Sequence, residues 1–182
     1  MSLRITAGTL RGRKIPVPPE EVRPTSERAR QAYFNIVADR ISGARFLDLF
    51  AGSGVFSFEA VSRGAASAVA VDASRRNCAA IDRLAADWNV QVKAIPSDVL
   101  AGMPRLGTAV FDLVYADPPY DWGKHGPLLA AIDASAPLAP DALVAIEHRR
   151  KSEVAGETKR LRFVRKAEYG EVWISFFEGV TS

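Results

Sequence analysis

Cysteine, histidine and long apolar runs are scarce in this chain of 182 residues. The single cysteine, Cys78, excludes an intrachain disulfide and a zinc site built from cysteines. The two histidines, His125 and His148, have no partner at the spacing of metal ligands, so we expect no bound metal. We expect Cys78 to pack on a helix, His125 to lie on a surface loop and His148 to end a strand.

Segments that could enter or cross a membrane are also missing. No apolar run is long enough to span a bilayer, and the opening residues Met1–Thr6 lack the apolar core of a signal peptide. We therefore expect no membrane association, a cytoplasmic location and a monomer. The length predicts one main domain with a short appendage.

Acidic residues are absent from residues 1–14, where four basic residues occur. Residues 1–30 carry a net charge of +4, residues 31–147 carry −4 and residues 148–182 carry +3. An acidic middle between basic ends is typical of a small-molecule site whose flanks bind a polyanion. Solvated charged faces would give the same pattern. The acid-free start favours the first interpretation.

Strands and helices alternate through the middle of the chain, which predicts an α/β fold: a Rossmann-like, doubly wound, mostly parallel sheet. The predicted strands are Ala44–Phe50, Ala65–Asp72, Val90–Pro96, Phe111–Ala116 and Ala142–Glu147. The predicted helices start near Thr25 and then cover Val55–Arg63, Ser74–Trp88 and Pro127–Ala136.

The two ends depart from this alternation. Leu161–Ala167 and Glu171–Phe177 flank Tyr169-Gly170 and predict a hairpin that adds one antiparallel strand. Residues 1–17 predict a basic hairpin around Gly8–Gly12, followed by a proline-rich link. We expect residues 1–24 to form an appendage that binds a polyanion and residues 25–182 to form the main domain. A doubly wound sheet that closes with such a hairpin is typical of class I methyltransferases. This is an analogy of fold alone, so function must be argued from the site.

A glycine loop follows the first strand of the main domain, as Ala51-Gly52-Ser53-Gly54. Glycines there permit a tight turn and close approach of the backbone to a ligand, although a ligand-free turn explains them equally well.

Three acids lie at the ends of three successive strands. Asp48 could bind an ammonium group, Asp72 two ribose hydroxyls and Asp98 an adenine amino group. Two of them have ordinary alternatives: Asp72 could cap a helix, and Asp98 could belong to a turn. Together they outline S-adenosylmethionine.

The fourth strand runs directly into Asp117-Pro118-Pro119-Tyr120. An amino group on an aromatic ring is a poor nucleophile because its lone pair is delocalised. The Asp117 carboxylate and the Pro118 carbonyl could accept hydrogen bonds from its two N–H groups and so align it with a methyl donor. Tyr120 could stack on the base. The alternative is a rigid turn or a polyproline ligand. We expect Asp117, Pro118 and Tyr120 to be the catalytic residues of an amino methyltransferase.

The chain resembles the bacterial small-subunit ribosomal RNA guanine-N2 methyltransferases, which are class I S-adenosylmethionine-dependent enzymes. The residues that carry the resemblance are Arg4-Ile5, Gly8, Arg11-Gly12-Arg13, Arg23-Pro24-Thr25, Glu27-Arg28, Phe34-Asn35, Leu47–Gly54, Ser62–Ala65 and Asp117–Tyr120. They extend over most of the chain, and the basic hairpin is their most discriminating part.

The resemblance implies an S-adenosylmethionine pocket, a guanine site at Asp117–Tyr120 and arginines that hold RNA phosphates. The implied cofactor residues are Asp48, Ala51, Gly52, Gly54, Asp72 and Asp98. The implied RNA-binding residues are Arg4, Arg11, Arg13, Lys14, Arg23 and Arg28. The sequence departs from the family at Phe56-Ser57-Phe58, and at Asp72, where glutamate is more usual.

Three other functions compete with guanine-N2 methylation of 16S ribosomal RNA. The same turn chemistry serves amino methylation of DNA bases or of a protein glutamine. The chain has no room for the target-recognition insertion common in DNA enzymes, and glutamine enzymes favour asparagine where Asp117 stands. The third is an RNA-binding module that keeps the fold without catalysis. The partner expected from the first function is ribosomal RNA or the small ribosomal subunit.

Overall fold

The computed structural model describes residues 1–17, 24–102, 106–119, 122–150, 152, 154 and 158–180. The strands are β1 (Ser2–Arg4), β2 (Lys14–Pro16), β3 (Arg45–Leu49), β4 (Ser67–Asp72), β5 (Val92–Pro96), β6 (Phe111–Ala116), β7 (Leu138–Arg149), β8 (Leu161–Tyr169) and β9 (Val172–Gly179). The helices are α1 (Pro24–Ile36), α2 (Val55–Ser62), α3 (Arg75–Trp88), α4 (Val99–Gly102) and α5 (His125–Ser135).

The main sheet has seven strands in the order β5-β4-β3-β6-β7-β9-β8. Strands β3 to β7 are mutually parallel, and β9 runs antiparallel to both of its neighbours, β7 and β8. This confirms the predicted fold, including the single antiparallel strand from the closing hairpin. The reversal of strand order between β4-β3 and β6 opens a crevice at the carboxyl ends of the parallel strands.

The sheet is covered on both faces, because each central strand buries side chains in both directions. On one face Phe46, Leu113 and Tyr115 share a core with α1, α2 and α3. On the other face Leu47, Val114 and Ile146 pack against α5. Cys78 is buried on α3 as predicted, and Ser74 caps that helix by accepting a hydrogen bond from the Asn77 backbone N–H at 3.2 Å.

Several element boundaries differ from the sequence prediction by a few residues, and the starts of β7 and α5 are two of them. Strand β7 begins at Leu138, four residues early, because Leu138 pairs with Phe111 before a bulge shifts the register to Leu113 and Leu143. Helix α5 begins at His125 and not at Pro127. Proline is tolerated in a first helical turn, where its missing N–H would have no helical partner.

The N-terminal hairpin packs on the carboxyl end of α2. Ser62 at that end accepts hydrogen bonds from Thr9 (2.8 Å, to its carbonyl) and Leu10 (2.9 Å, to its hydroxyl). Leu10 and Ile15 are buried in the same core as α1 to α3. Because the hairpin and the main domain share apolar contacts, packing does not separate them. The division into residues 1–24 and 25–182 therefore stays a proposal about their functions.

Gly8 allows this close approach. A Cβ at Gly8, whose φ is +77°, would lie 1.7 Å from the Ser62 carbonyl oxygen. We expect Gly8→Ala to lower the free energy of unfolding by about 2–4 kcal/mol, measured by urea denaturation. Gly12→Ala is the matched control, because its φ is +87° and its Cβ would meet nothing within 4 Å. Equal losses from the two substitutions would show that backbone strain, and not contact with α2, sets the cost.

Candidate functional site

A cavity of about 490 Å³ lies at the carboxyl ends of β3, β4, β6 and β7. Residues of β1 and α1 complete its wall. Its lining residues are Leu3, Glu27, Arg30, Asp48, Phe50, Ala51, Gly52, Ser53, Val55, Phe56, Asp72, Ala73, Tyr115, Asp117, Pro118, Pro119 and Glu147. Of the predicted site residues, this cavity brings together Asp48, Ala51, Gly52, Asp72, Asp117 and Pro118.

The loop between β3 and α2 turns sharply along one side of the cavity. Phe50, Gly52 and Gly54 all have positive φ, of 62°, 53° and 75°. A Cβ on Gly52 would meet nothing within 4 Å, so this backbone faces open space at the cavity. A Cβ on Gly54 would lie 2.8 Å from Ile81 Cγ1. Gly54 therefore serves helix packing, whereas Gly52 leaves room for a ligand.

Asp48 presents a buried carboxylate in the middle of the crevice. Its Oδ2 accepts hydrogen bonds from the Ser57 backbone N–H at 3.0 Å and from the Ser57 hydroxyl at 2.7 Å. Burial raises the pKa of Asp48 to about 7, an effect that the Ser57 hydrogen bonds oppose and the charges of Asp117 and Asp72 reinforce. A cation bound here would relieve this unfavourable burial of negative charge.

Asp72, at the end of β4, is held by three donors. It accepts hydrogen bonds from the backbone N–H groups of Gly52 and Ser74, each at 2.8 Å, and from the Asn77 side chain at 3.2 Å. The carboxylate thus ties the glycine loop to the start of α3. Its position at the cavity and its helix-terminal contacts agree with both functions considered from sequence.

Asp117, Pro118 and Pro119 form a corner directly after β6. The Asp117 backbone N–H donates to the Leu49 carbonyl at 3.2 Å, which anchors the corner to β3. The Trp122 N–H donates to the Pro119 carbonyl at 3.0 Å. Pro118 is buried and Asp117 is exposed at the cavity. Tyr120 lies outside the described residues, and its stacking role stays a prediction.

Asp98 does not line this cavity. It is exposed after β5, and its Oδ1 accepts a hydrogen bond from the Ala101 N–H at 3.1 Å at the start of α4. This is the turn role weighed above, and an adenine contact at Asp98 stays a prediction.

Tyr115, Glu147 and Arg30 are among the cavity residues that were not anticipated from sequence. Tyr115 donates a hydrogen bond to Glu147 across β6 and β7, and its ring stacks on Phe56 with the centroids 3.9 Å apart. Burial, reinforced by the Glu147 charge, raises the pKa of the Tyr115 hydroxyl. The third residue is Arg30 on α1. Of the three, only Glu147 carried a signal in the sequence, since it lies near the end of a predicted strand, as the predicted acids do.

The surface-loop prediction for His125 is wrong. His125 is buried at the start of α5, with its ring centroid 6.1 Å from that of His148. Burial, with the neighbouring His148, lowers the pKa of His125. The reason for the error is the early start of α5, which turns His125 inward. No group of acids, histidines and cysteines in the described part of the chain could hold a metal ion.

The predicted RNA-binding side chains lie at the surface. Arg4, Arg11, Arg13, Lys14 and Arg28 are all exposed, and Arg23 lies outside the described residues. The guanidinium of Arg13 lies 5.3 Å from the centre of the Trp88 ring. Because Leu3 of β1 lines the cavity, this basic hairpin adjoins the site. None of the helices in the described ranges is both long and apolar enough to cross a bilayer.

Known proteins share this architecture and much of the sequence. Residues 3–178 match the family described as "Conserved hypothetical protein 95". Ribosomal RNA small subunit methyltransferase D of Escherichia coli (strain K12) is 35% identical over 147 residues, which are 80% of this chain and 74% of that protein. YlbH of Bacillus subtilis (strain 168), named as an rRNA methyltransferase, is 29% identical over 184 residues, covering 97% of this chain and 98% of YlbH.

Among solved structures, one described as methyltransferase yhhF from Escherichia coli superimposes with a TM-score of 0.86 and 28% identity, and the match covers 100% of both chains. The likeness therefore includes the hairpin, the cavity and the C-terminal strands. The chain belongs to the family described as Conserved hypothetical protein 95, whose relatives include ribosomal RNA small subunit methyltransferase D.

Proposed function

We propose that this protein transfers a methyl group from S-adenosylmethionine to the exocyclic N2 amino group of a guanine in 16S ribosomal RNA. The observation that carries the proposal is the single cavity that joins Asp48 and Asp72 to the Asp117-Pro118 corner. The relatives named as ribosomal RNA methyltransferases support the class of substrate.

The residues at the cavity fit S-adenosylmethionine. Asp48 offers negative charge to an ammonium group, and burial raises its pKa to about 7, so a bound cation would stabilise its ionised form. Asp72 can accept hydrogen bonds from ribose hydroxyls at the end of the neighbouring strand. Gly52 leaves space for the ligand beside the backbone. When bound, the cofactor supplies a methyl carbon that is already electrophilic.

The Asp117-Pro118 corner then acts on the acceptor. The Asp117 carboxylate and the Pro118 carbonyl accept hydrogen bonds from the two N–H groups of the guanine amino group. This orients the nitrogen lone pair towards the methyl donor. Burial of Pro118 and the Asp117–Leu49 backbone hydrogen bond keep the corner rigid. We assign Tyr120 the stacking face for the base.

Methyl transfer to small ribosomal subunits tests the proposal. Subunits and free 16S RNA from a strain that lacks the enzyme are incubated with labelled S-adenosylmethionine, and the RNA is digested for nucleoside mass spectrometry. We expect N2-methylguanosine as the product. Absence of transfer, or a methyl group on DNA or on a protein glutamine, would contradict this assignment.

RNA binding through the basic hairpin is a separate prediction. Arg11→Ala with Arg13→Ala should weaken RNA binding and reduce the slope of log K against log salt by about one unit per lost phosphate contact. Fluorescence anisotropy at several salt concentrations measures this slope. Lys93→Ala is the control, because Lys93 is exposed on the edge strand β5. An unchanged slope in the double variant would reject the hairpin as the RNA contact.

A further inference from the structure

Arg30 is a buried cation whose charge is only partly neutralised by the protein. It lies on α1, is 2% exposed and lines the cavity. Its Nη2 donates to the Arg4 carbonyl at 3.0 Å. Its Nε has no hydrogen-bond partner among the described residues, although it is buried. A buried, unpaired N–H of a charged group is costly, so such a group calls for an explanation.

The nearest acid, Glu59, is already occupied. Its carboxylate accepts hydrogen bonds from the Thr6 backbone N–H at 3.0 Å, from the Thr6 hydroxyl at 2.5 Å and from Arg63 Nε at 2.9 Å. Arg30 Nε lies 3.9 Å from Glu59 Oε2, beyond hydrogen-bond distance. Arg30 and Arg63 therefore share the Glu59 carboxylate, and Glu27 on α1 is a second acid that acts on Arg30 without a hydrogen bond to its Nε.

The rest of the cavity has the opposite sign. Its acidic side chains, among the residues that the structure describes, are those of Glu27, Asp48, Asp72, Asp117 and Glu147. A ligand that suits one buried guanidinium and several carboxylates is a zwitterion, with its anionic group at α1 and its cationic group near the strand ends. The methionine moiety of S-adenosylmethionine has this pattern of charge.

We propose that Arg30 binds the α-carboxylate of S-adenosylmethionine. This inference rests on the proposed function and gives the cofactor a direction: the methionine carboxylate lies at α1, its ammonium group towards Asp48, and the ribose at Asp72. A planar guanidinium can form two parallel hydrogen bonds to a carboxylate, which lysine cannot reproduce. The Tyr33 hydroxyl, one helical turn along α1, is also buried with no hydrogen-bond partner among the described residues, but Tyr33 does not line the cavity.

The test compares S-adenosylmethionine with its decarboxylated analogue, which keeps the sulfonium, the amine and the nucleoside. Isothermal titration calorimetry gives both dissociation constants for each variant. We expect the wild-type protein to bind S-adenosylmethionine about 10- to 100-fold more tightly than the analogue, as a charged hydrogen-bonded pair predicts. Arg30→Met should remove this preference while binding of the analogue changes less than about threefold, and Arg30→Lys should retain part of it.

Arg45→Met is the matched control, since Arg45 also pairs with a carboxylate, that of Asp112, but does not line the cavity. It should keep the wild-type preference. A preference that survives in Arg30→Met would overturn the assignment, as would a wild-type protein that binds both ligands equally. Weaker RNA binding in Arg30→Met with an unchanged preference would assign Arg30 to a phosphate instead. A wild-type protein that binds neither ligand would contradict the proposed function itself.

Discussion

Replacing Asp117 by alanine should reduce the rate of methyl transfer by about 10²–10³-fold while binding of both cofactor and RNA persists. The proposed task of the carboxylate is to orient the acceptor amine in the transition state, so its loss falls on kcat and not on the ground-state affinities. The backbone hydrogen bond from Asp117 to Leu49 survives the substitution, which keeps the corner in place. Single-turnover transfer of labelled methyl groups to small subunits, with calorimetry for the cofactor, measures both properties.

Two comparison variants sharpen this experiment. Tyr120→Ala removes a stacking face and should cost less, about 10-fold. Asp87→Ala removes an exposed acid of α3 that does not line the cavity, and it should leave transfer unchanged. Should Tyr120→Ala prove more damaging than Asp117→Ala, the roles given to the two residues would be reversed. A fall in cofactor affinity equal to the fall in rate would instead make Asp117 a cofactor ligand.

Asp48→Asn should weaken cofactor binding about 10- to 100-fold at pH 8, since the amide keeps the shape but loses the charge that faces the ammonium group. The wild-type affinity should itself depend on pH. With the pKa of Asp48 at about 7, the cofactor must displace a proton below that pH, and the dissociation constant should rise about tenfold per unit as the pH falls. Calorimetric titrations between pH 5.5 and 8.5 should show this slope in the wild type and not in Asp48→Asn.

Without cofactor, the stability of the wild-type protein should fall as the pH rises, whereas its cofactor affinity should increase. A carboxyl whose folded-state pKa is raised stabilises the protein fully below its unfolded pKa, and this contribution is lost as the pH rises from about 4 to about 7. Asp48→Asn escapes that loss, so without cofactor it should be more stable than the wild type at pH 8 by about 2–4 kcal/mol. The amide oxygen can still accept from Ser57. Lower stability of the variant at pH 8 would show that Asp48 is already compensated by a partner in the protein.

Much of the candidate site could be predicted from the chain because its parts are local. The β3–Gly54 segment and the β6–Pro119 segment each combine a buried strand with a turn that only certain residues permit. Parallel strands place their carboxyl ends at one edge, so Asp48, Asp72 and Asp117 were expected to meet there. The cavity confirms that these three side chains share one site. Their contacts with a cofactor or a guanine stay predictions.

The same rule predicted an adenine contact for Asp98, which stays a prediction, and Asp98 does not line the cavity. It also ends a strand, but β5 is the edge strand of the sheet, and the side chain turns to cap α4. A position at a strand end is therefore not sufficient to bring an acid into the cavity. Which way the side chain points depends on the next helix, and the start of α4 gave no clear signal in the sequence. The surface-loop prediction for His125 was wrong because α5 begins at His125, two residues before the predicted start, and its side chain is buried there.

The amino-acid sequence by itself determined the order of strands and helices, the glycine turn and the Asp117-Pro118-Pro119 corner, since each depends on periodicity or on backbone restrictions of neighbouring residues. Tertiary structure alone decided that Arg30 shares the Glu59 carboxylate with Arg63 and that Tyr115 meets Glu147. These pairs lie 29 and 32 residues apart and come together only when α1 packs on the sheet and β6 pairs with β7. The charge balance within the cavity depends on such partners, which are distant in the sequence. It could therefore not be predicted from any local sequence pattern.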